Sequence, residues 1–438
     1  DREYNVMQTM HFCAEDSLFI ILAYQYCIDA EDYAYLKEIY ADLKQIWMGL
    51  VNKTDAKGYI KGPGFYPDNL KALGRNENSR TAMETGTFYT ACRIMEITAS
   101  ILNDIPTKEL AFDIFTKIED NYIKDFFNEE YGTLIDSIYD DNSQNITFPL
   151  YAYMGAYTSF GYSLFYKKIN QIATFINQNY VHPMGIRVMP LYDKNRNNES
   201  VHHSWYPHWD IYAMKLLRKG FMIGKDRYRT TSAILHYLNL TERMWEGYKA
   251  VMELLELDTA DYMEGWKQHG QAWNCNCATG IFRTIIESAA GIITDFGNIR
   301  ILPDGCSNVN ISNLTVRKGR WAVSSFGTEE FSYIVVDGIK LFKTCVIPDE
   351  FMTKDNHLLQ IFNTSESYDF MICSFTGGCI KNYKESEFLI SFNAECAATA
   401  DLVIMATKSF KIYIDNESWP VRNLNNEYYL IRLKDSCT

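Results

Sequence analysis

The chain has 438 residues, 47% of them hydrophobic and 22% charged, with a net charge of −13. That is enough apolar surface for a large core, and the length makes two domains the expectation. The acidic balance, with no sustained basic patch, excludes nucleic acid as a partner, and no apolar run is long enough to span a membrane.

The first two thirds read as helices. AEDSLFIILAYQYCIDA (14–30) has a broad apolar face, and EDYAYLKEIYADLKQIWMGLVNK (31–53) repeats Tyr33, Leu36, Ile39, Tyr40, Leu43, Ile46, Trp47 and Leu50 at helical spacing. The two make a hairpin with a very short connection. A long Gly/Pro-rich loop, KGYIKGPGFYPDNLKALGRNENS, fills 57–79. Helical patterns resume at 80–102 and 107–127, with Pro106 at the start of the second, where proline is tolerated. An irregular stretch, 128–153, precedes weaker patterns at 155–166 and 168–180. A second loop, 180–203, leads to a helix at 205–219 that stops on Arg218, Lys219 and Gly220. Further helices cover 229–248 and 270–292. Long loops follow every second helix, so they gather at one end of a toroid of hairpins, the usual place for working residues.

After residue 293 the period changes to two. NLTVRKGRWAVSSF (313–326) and FSYIVVDGIKLFKTCVI (331–347) predict hairpins, the second turning on Asp337–Gly338 in type I′ geometry. Strand-like runs continue at 357–363, 368–375, 386–393, 400–406, 409–415 and 427–433. The pattern predicts an antiparallel β-sandwich over 293–438, after a helical domain over 1–292. The 11 cysteines are scattered, and Cys27 and Cys92 lie in apolar helical runs, so they read as small buried hydrophobes. Cys275 and Cys277 point to different faces of a helix, which speaks against a metal site.

Aromatics are abundant, with 31 Tyr and 8 Trp. They either pack the core or present ring faces to sugars. The informative acids lie in the long loops beside aromatics. Glu264 stands in YMEGWKQHGQAWNCNC (262–277), among Trp266, His269 and Trp273. A half-apolar setting raises a carboxyl pKa, although a solvated Glu near a helix start has the same sequence. Asp68, in FYPDNL, is a second candidate or a turn-forming Asp. Trp205, Tyr206, His208 and Trp209 open a helix as WYPHWD, and His202 and His203 precede it. Asp16 starts the first helix. Glu129, Glu130, Asp136, Asp140 and Asp141 are further acids in the irregular stretch.

Several stretches carry a family resemblance. DSLFIILAYQY (16–26) and YLKEIYADLKQIWMGL (35–50) look like successive helices of the six-hairpin glycosidase superfamily, whose catalytic domain is an (α/α)6 barrel. FYPDNL resembles the "TWMDA" loop of glycogen-debranching glucosidase domains, with Asp68 at the catalytic position. TAMETGTFYTACRIMEITASIL, HHSWYPHWDIYAMKLLRKG and GQAWNCNCATGIF are similar to later helices of that family. Glu264 then falls where the debranching family has its second catalytic acid, and where α-L-rhamnosidases carry "WERW". GIITDFGNIRILPDG (291–305) resembles the rhamnosidase passage into its β-sandwich. Three motifs depart from the family patterns: Tyr206-Pro207-His208 for W-P-W, Gly265 for an arginine, and Tyr66-Pro67 for W-M. The family barrel has twelve helices, about nine are read here, and the match begins at the fourth. The chain also starts at Asp1 and not Met, which leaves room for a processed leader or an upstream part.

The resemblance implies glycoside hydrolysis by a carboxyl pair, Glu264 as general base and Asp68 as general acid or with the roles exchanged. It implies a glycoside or oligosaccharide substrate, stacking on Trp205, Trp209, Trp266 and Trp273, and sugar contacts from Asp16, His203 and His269, with no metal or organic cofactor. Two rival readings remain. One is a sugar epimerase with His203 and His269 as acid and base; the other is a carbohydrate-binding protein with a dead site. Sugar, linkage, oligomeric state and compartment, cytoplasmic or periplasmic, stay open.

Overall fold

The computed structural model describes residues 13–62, 64, 73–183, 185–190, 204–223, 226–248, 252–256, 267–272, 275–294, 296–302, 308–327, 331–364, 368–425 and 427–434. Helices α1 (Cys13–Asp29) and α2 (Tyr33–Val51) form the expected hairpin. The Asp32 carboxylate caps α2 by accepting from the Tyr35 N–H at 2.9 Å. Leu36, Leu43, Trp47 and Leu50 bury the stripe read from the sequence. The Trp47 indole N–H reaches Cys92 Sγ at 3.4 Å, on α3 (Ala82–Ile101). Helix α4 (Ile105–Phe126) starts on an Asp104 cap with Pro106 in its first turn. Cys27 and Cys92 are buried free thiols, as their apolar runs predict.

The next segment departs from expectation. Instead of a helix over 155–166, a 3-10 helix occupies Leu150–Tyr157, entered from the extended Pro149. A single turn, α5 (Tyr162–Phe165), and then α6 (Ile169–Asn179) follow. Glycines permit this arrangement. A Cβ on Gly86 would stand 3.0 Å from the Gly155 Cα, so α3 and the 3-10 helix touch backbone to backbone. Helices α7 (Asp210–Ile223), α8 (Arg227–Tyr248) and α9 (Cys275–Thr284) complete the helical part, α9 running on as a π-turn, Ile285–Ala289. The expected helix over 270–292 therefore starts late. Ahead of it lies a small antiparallel sheet of β1 (Ser204–Trp205), β2 (Met252–Glu256) and β3 (Lys267–Ala272), in the order β3-β2-β1.

Inner elements pack in succession: α1 on α3, α3 on the 3-10 helix, that helix on α7, and α7 on α9. Helices α2, α4, α6 and α8 each pack on a member of this series. Among the described residues no packing of that extent joins α9 back to α1. A cavity of about 250 Å³ lies there instead, bounded by Ile21 and Gln25 on one side and Arg283 and Ile286 on the other.

Strands take over at Ile292, as the change of period predicts. The first large sheet holds β4 (Asn310–Val316), β5 (Gly319–Phe326), β6 (Phe331–Val336), β7 (Ile339–Leu341) and β8 (Asn356–Asn363), in the order β4-β5-β8-β6-β7. It is mixed and not purely antiparallel, because β5 and β8 pair in parallel. Asp337 (φ 49°) and Gly338 (φ 87°) make the β6–β7 turn, both in the left-handed region that a type I′ turn requires. The second sheet holds β9 (Phe370–Glu385), β10 (Ile390–Ala406), β11 (Arg422–Asn425) and β12 (Tyr428–Leu433), in the order β9-β10-β12-β11. The short runs at 368–375, 386–393 and 400–406 merge into β9 and β10, whose register shifts mark bulges along the hairpin.

One apolar cluster contains Trp47, Phe88 and Trp209 together with Trp321 and Ile334, so the core runs from helices into sheet. Buried charge crosses the same junction. Arg93 of α3 donates to Asp401 of β10 at 3.0 Å. Arg432 of β12 donates to Asp401 at 2.8 Å and to Glu119 of α4 at 2.7 Å. Burial alone would raise the Asp401 carboxyl; the Arg93 and Arg432 guanidiniums outweigh it and hold the group far below the usual carboxylate range.

Candidate functional site

Several inner elements begin around one polar rim. Glu15 and Asp16 open α1, and the Thr81 cap and the buried Glu84 open α3. Tyr151 lies at the start of the 3-10 helix, and Trp209 and Asp210 at the start of α7. Arg75, five residues beyond FYPDNL, joins the irregular stretch to the 3-10 helix at this rim. Its guanidinium donates from Nε to Asp136 Oδ2 at 2.8 Å and from a second nitrogen to Asp136 Oδ1, both groups fully buried. It also stands 5.2 Å from the Tyr151 ring centroid. Tyr151 meets Trp209 edge to face at 4.4 Å, and Trp205 donates its indole N–H to Asp210 Oδ2 at 2.8 Å. In β1, Trp205 pairs with Leu255 of β2, and β2 pairs with β3.

These contacts join the footings of two segments. The segment carrying Asp68 leaves from Gly64 and returns at Leu73. A Cβ on Gly64 would sit 3.0 Å from an Arg75 guanidinium nitrogen, and the Leu73 carbonyl accepts from Asn145 Nδ2 at 2.5 Å. The segment carrying Glu264 connects β2 to β3. Asp68, His202, His203, Glu264, Trp266 and Trp273 themselves lie outside the described residues. His269 is described through its backbone, opposite Leu254 in the β2–β3 pair.

The other candidates are placed. Asp16 is exposed in the first turn of α1; partial burial raises its carboxyl, against the pull of Lys53. Trp205 and Trp209 are fully buried (0% exposed), which corrects their expected use as open sugar platforms. Their rings are committed to Asp210 and Tyr151, so they brace the rim from beneath. Of the acids in the irregular stretch, Asp136 pairs with Arg75, Asp140 with Arg80 and Lys61, and Glu129 with Lys168.

Two acids at this end escaped the sequence reading. Glu15 is half-buried, and burial chiefly, with the Asp16 charge adding and a backbone hydrogen bond opposing, pushes its carboxyl up to about 7. Asp210 is fully buried, and burial pushes its carboxyl well above the ordinary range despite the Trp205 hydrogen bond. The apolar run around Glu15 and the tryptophans flanking Asp210 were the available signals. Among the described residues no group of three or more His, Cys, Asp or Glu is arranged to hold a metal ion.

Helical hairpins followed by two large sheets make up a fold that this chain shares in part with solved structures of low sequence identity. A solved structure titled "Sialidase" matches 66% of this chain and 28% of its own, with a TM-score of 0.50 and 11% identity. A GH78 family rhamnosidase of Bacillus sp. GL1 matches 79% of this chain and 33% of its own, with a TM-score of 0.47 and 11% identity. The chain thus spans about a third of the length of either structure. No family model and no curated protein matches it.

Proposed function

We propose that the chain is a glycoside hydrolase that cleaves with inversion, using Glu264 and Asp68. The observation that supports this reading is the path from Arg75 through Tyr151 to Trp209, whose chain neighbour Asp210 holds Trp205 of the β1–β3 sheet. It links Arg75, which follows the Asp68 segment in the chain, to the strands β2 and β3, which flank the Glu264 segment. Glu264 takes a proton from water, which attacks the anomeric carbon from the face opposite the leaving oxygen. Asp68 gives that oxygen its proton as the bond breaks. Inversion requires the carboxyls to stand roughly 6.5–9.5 Å apart, and retention about 5–5.5 Å. Trp266 and Trp273 stack on the sugar, and Asp16, His203 and His269 hold its hydroxyls. Glu15, able to keep a proton near neutral pH, is the competing donor at this end.

A panel of aryl glycosides, α-L-rhamnosides and α-glucosides among them, tests the reading, with NMR of the first-released anomer reporting stereochemistry. Glu264→Gln should lower turnover by about 10²–10⁴-fold and leave sugar binding intact. Unchanged turnover in that variant removes Glu264 from the mechanism. Loss of activity in Glu15→Gln but not in Asp68→Asn transfers the acid role to Glu15.

A further inference from the structure

Helix α6 presents two unlike faces. Ile169, Ile172, Ala173 and Ile176 are buried, while Asn170, Gln171, Thr174 and Gln178 line an open groove of about 310 Å³ that Tyr131 also lines. We propose that this groove is a second carbohydrate site, one that binds a neutral oligosaccharide. None of the residues lining it is charged, although the chain as a whole carries −13. Of the charges nearest along the chain, Glu129 and Lys168 pair at 2.7 Å, and Glu130, next to Tyr131, is exposed, so the charge beside that ring is negative and disfavours anions. The carboxamides of Asn170, Gln171 and Gln178 offer both donors and acceptors along the groove, the combination that sugar hydroxyls need. Charged ligands would find no counter-ion in this lining.

Tyr131 supplies the ring. It is 38% exposed and braced by Phe148, whose centroid lies 4.8 Å away; Phe148 in turn packs on Phe175 of α6 at 5.7 Å. The ring is thereby held against the groove before any ligand arrives, which lowers the entropy cost of binding. A Cβ added to Gly132, whose φ is +69°, would stand 4.0 Å from the Gln171 Cβ, so the turn borders the helix here. Asn170 Oδ1 is buried in the groove wall with no hydrogen-bond partner. A ligand hydroxyl, or a water held beneath it, would meet that oxygen. The volume sits at the lower edge of the roughly 300–1,000 Å³ usual for small-molecule sites, which suits a short oligosaccharide.

The site does not depend on Glu264 or Asp68, and its test is built to separate the two. Hydrogen–deuterium exchange on the whole chain, with maltotriose, cellotriose or 3′-sialyllactose added, should show protection of 128–134 and 168–179 by a neutral trisaccharide. Tyr131→Ala, and separately Gln171→Ala with Gln178→Ala, should each weaken that protection at least tenfold. All three side chains are exposed, and alanine is at home in a helix, so the fold should survive. Glu264→Gln should leave the protection unchanged, whatever it does to hydrolysis. The proposal fails if no neutral sugar protects these segments, if Tyr131→Ala binds like the wild type, or if the charged sugar binds equally well.

Discussion

Removing the Asp136 carboxylate tests the rim most directly. Arg75 is fully buried, and Asp136 supplies acceptors for two of its guanidinium nitrogens. In Asp136→Ala the guanidinium would keep the Tyr151 ring but lose the two charge-assisted hydrogen bonds to its buried carboxylate partner. Breaking a buried pair in this way costs about 3–5 kcal/mol. Unfolding entropy of about 2.1 cal/mol/K per residue amounts to about 0.9 kcal/mol/K over a chain this long. The thermal midpoint should therefore fall by about 3–5 °C in scanning calorimetry. Replacing both partners, Arg75→Met with Asp136→Leu, should recover most of the loss, because neither member of the pair is then left charged without the other. A midpoint for Asp136→Ala within 1 °C of wild type, or a double variant weaker than the single one, would refute the reasoning.

Asp210→Asn should change the pH dependence of stability. The folded-state pKa of Asp210 lies above its unfolded value of about 3.9, so the unfolded chain ionises first and the wild type loses stability as pH rises through that window. The variant, which can still accept from Trp205, should match the wild type near pH 4 and melt higher by pH 8; a variant falling further behind with rising pH contradicts this. Gly86→Ala should destabilise by about 1–3 kcal/mol in urea denaturation despite its better helix propensity, since the new Cβ meets Gly155 backbone. A stabilised variant would mean that the two backbones can part at little cost. The losses expected for Glu264→Gln and Tyr131→Ala complete the set.

What could be read from the sequence is what is encoded locally. The α2 stripe from Leu36 to Leu50 and the Asp337–Gly338 turn both depend on residues a few positions apart, and both stand where expected. Arg75 and Asp136 are separated by 61 residues, so nothing in LGRNENS distinguishes a buried arginine from a solvated one. The β2–β3 pair was missed because Met252–Glu256 is short and lacks strict alternation, and because GQAWNCNC reads as a helix start. Trp205 and Trp209 have the composition of a sugar platform, but ring exposure is set by tertiary packing. The displaced helix at 150–157 follows from a meeting of Gly86 and Gly155, which neither segment announces alone.

The ion pair between Arg93 and Asp401 also carries a timing consequence. The two residues are 308 positions apart. A ribosome adding about 5–20 residues per second releases Asp401 roughly 15–60 s after Arg93. Through that interval α3 carries a guanidinium whose permanent counter-charge has not yet been synthesised, on a surface the strands will later cover. The nascent helical part must wait in a hydrated, unfinished form, and it is in this window that chaperones have most to protect.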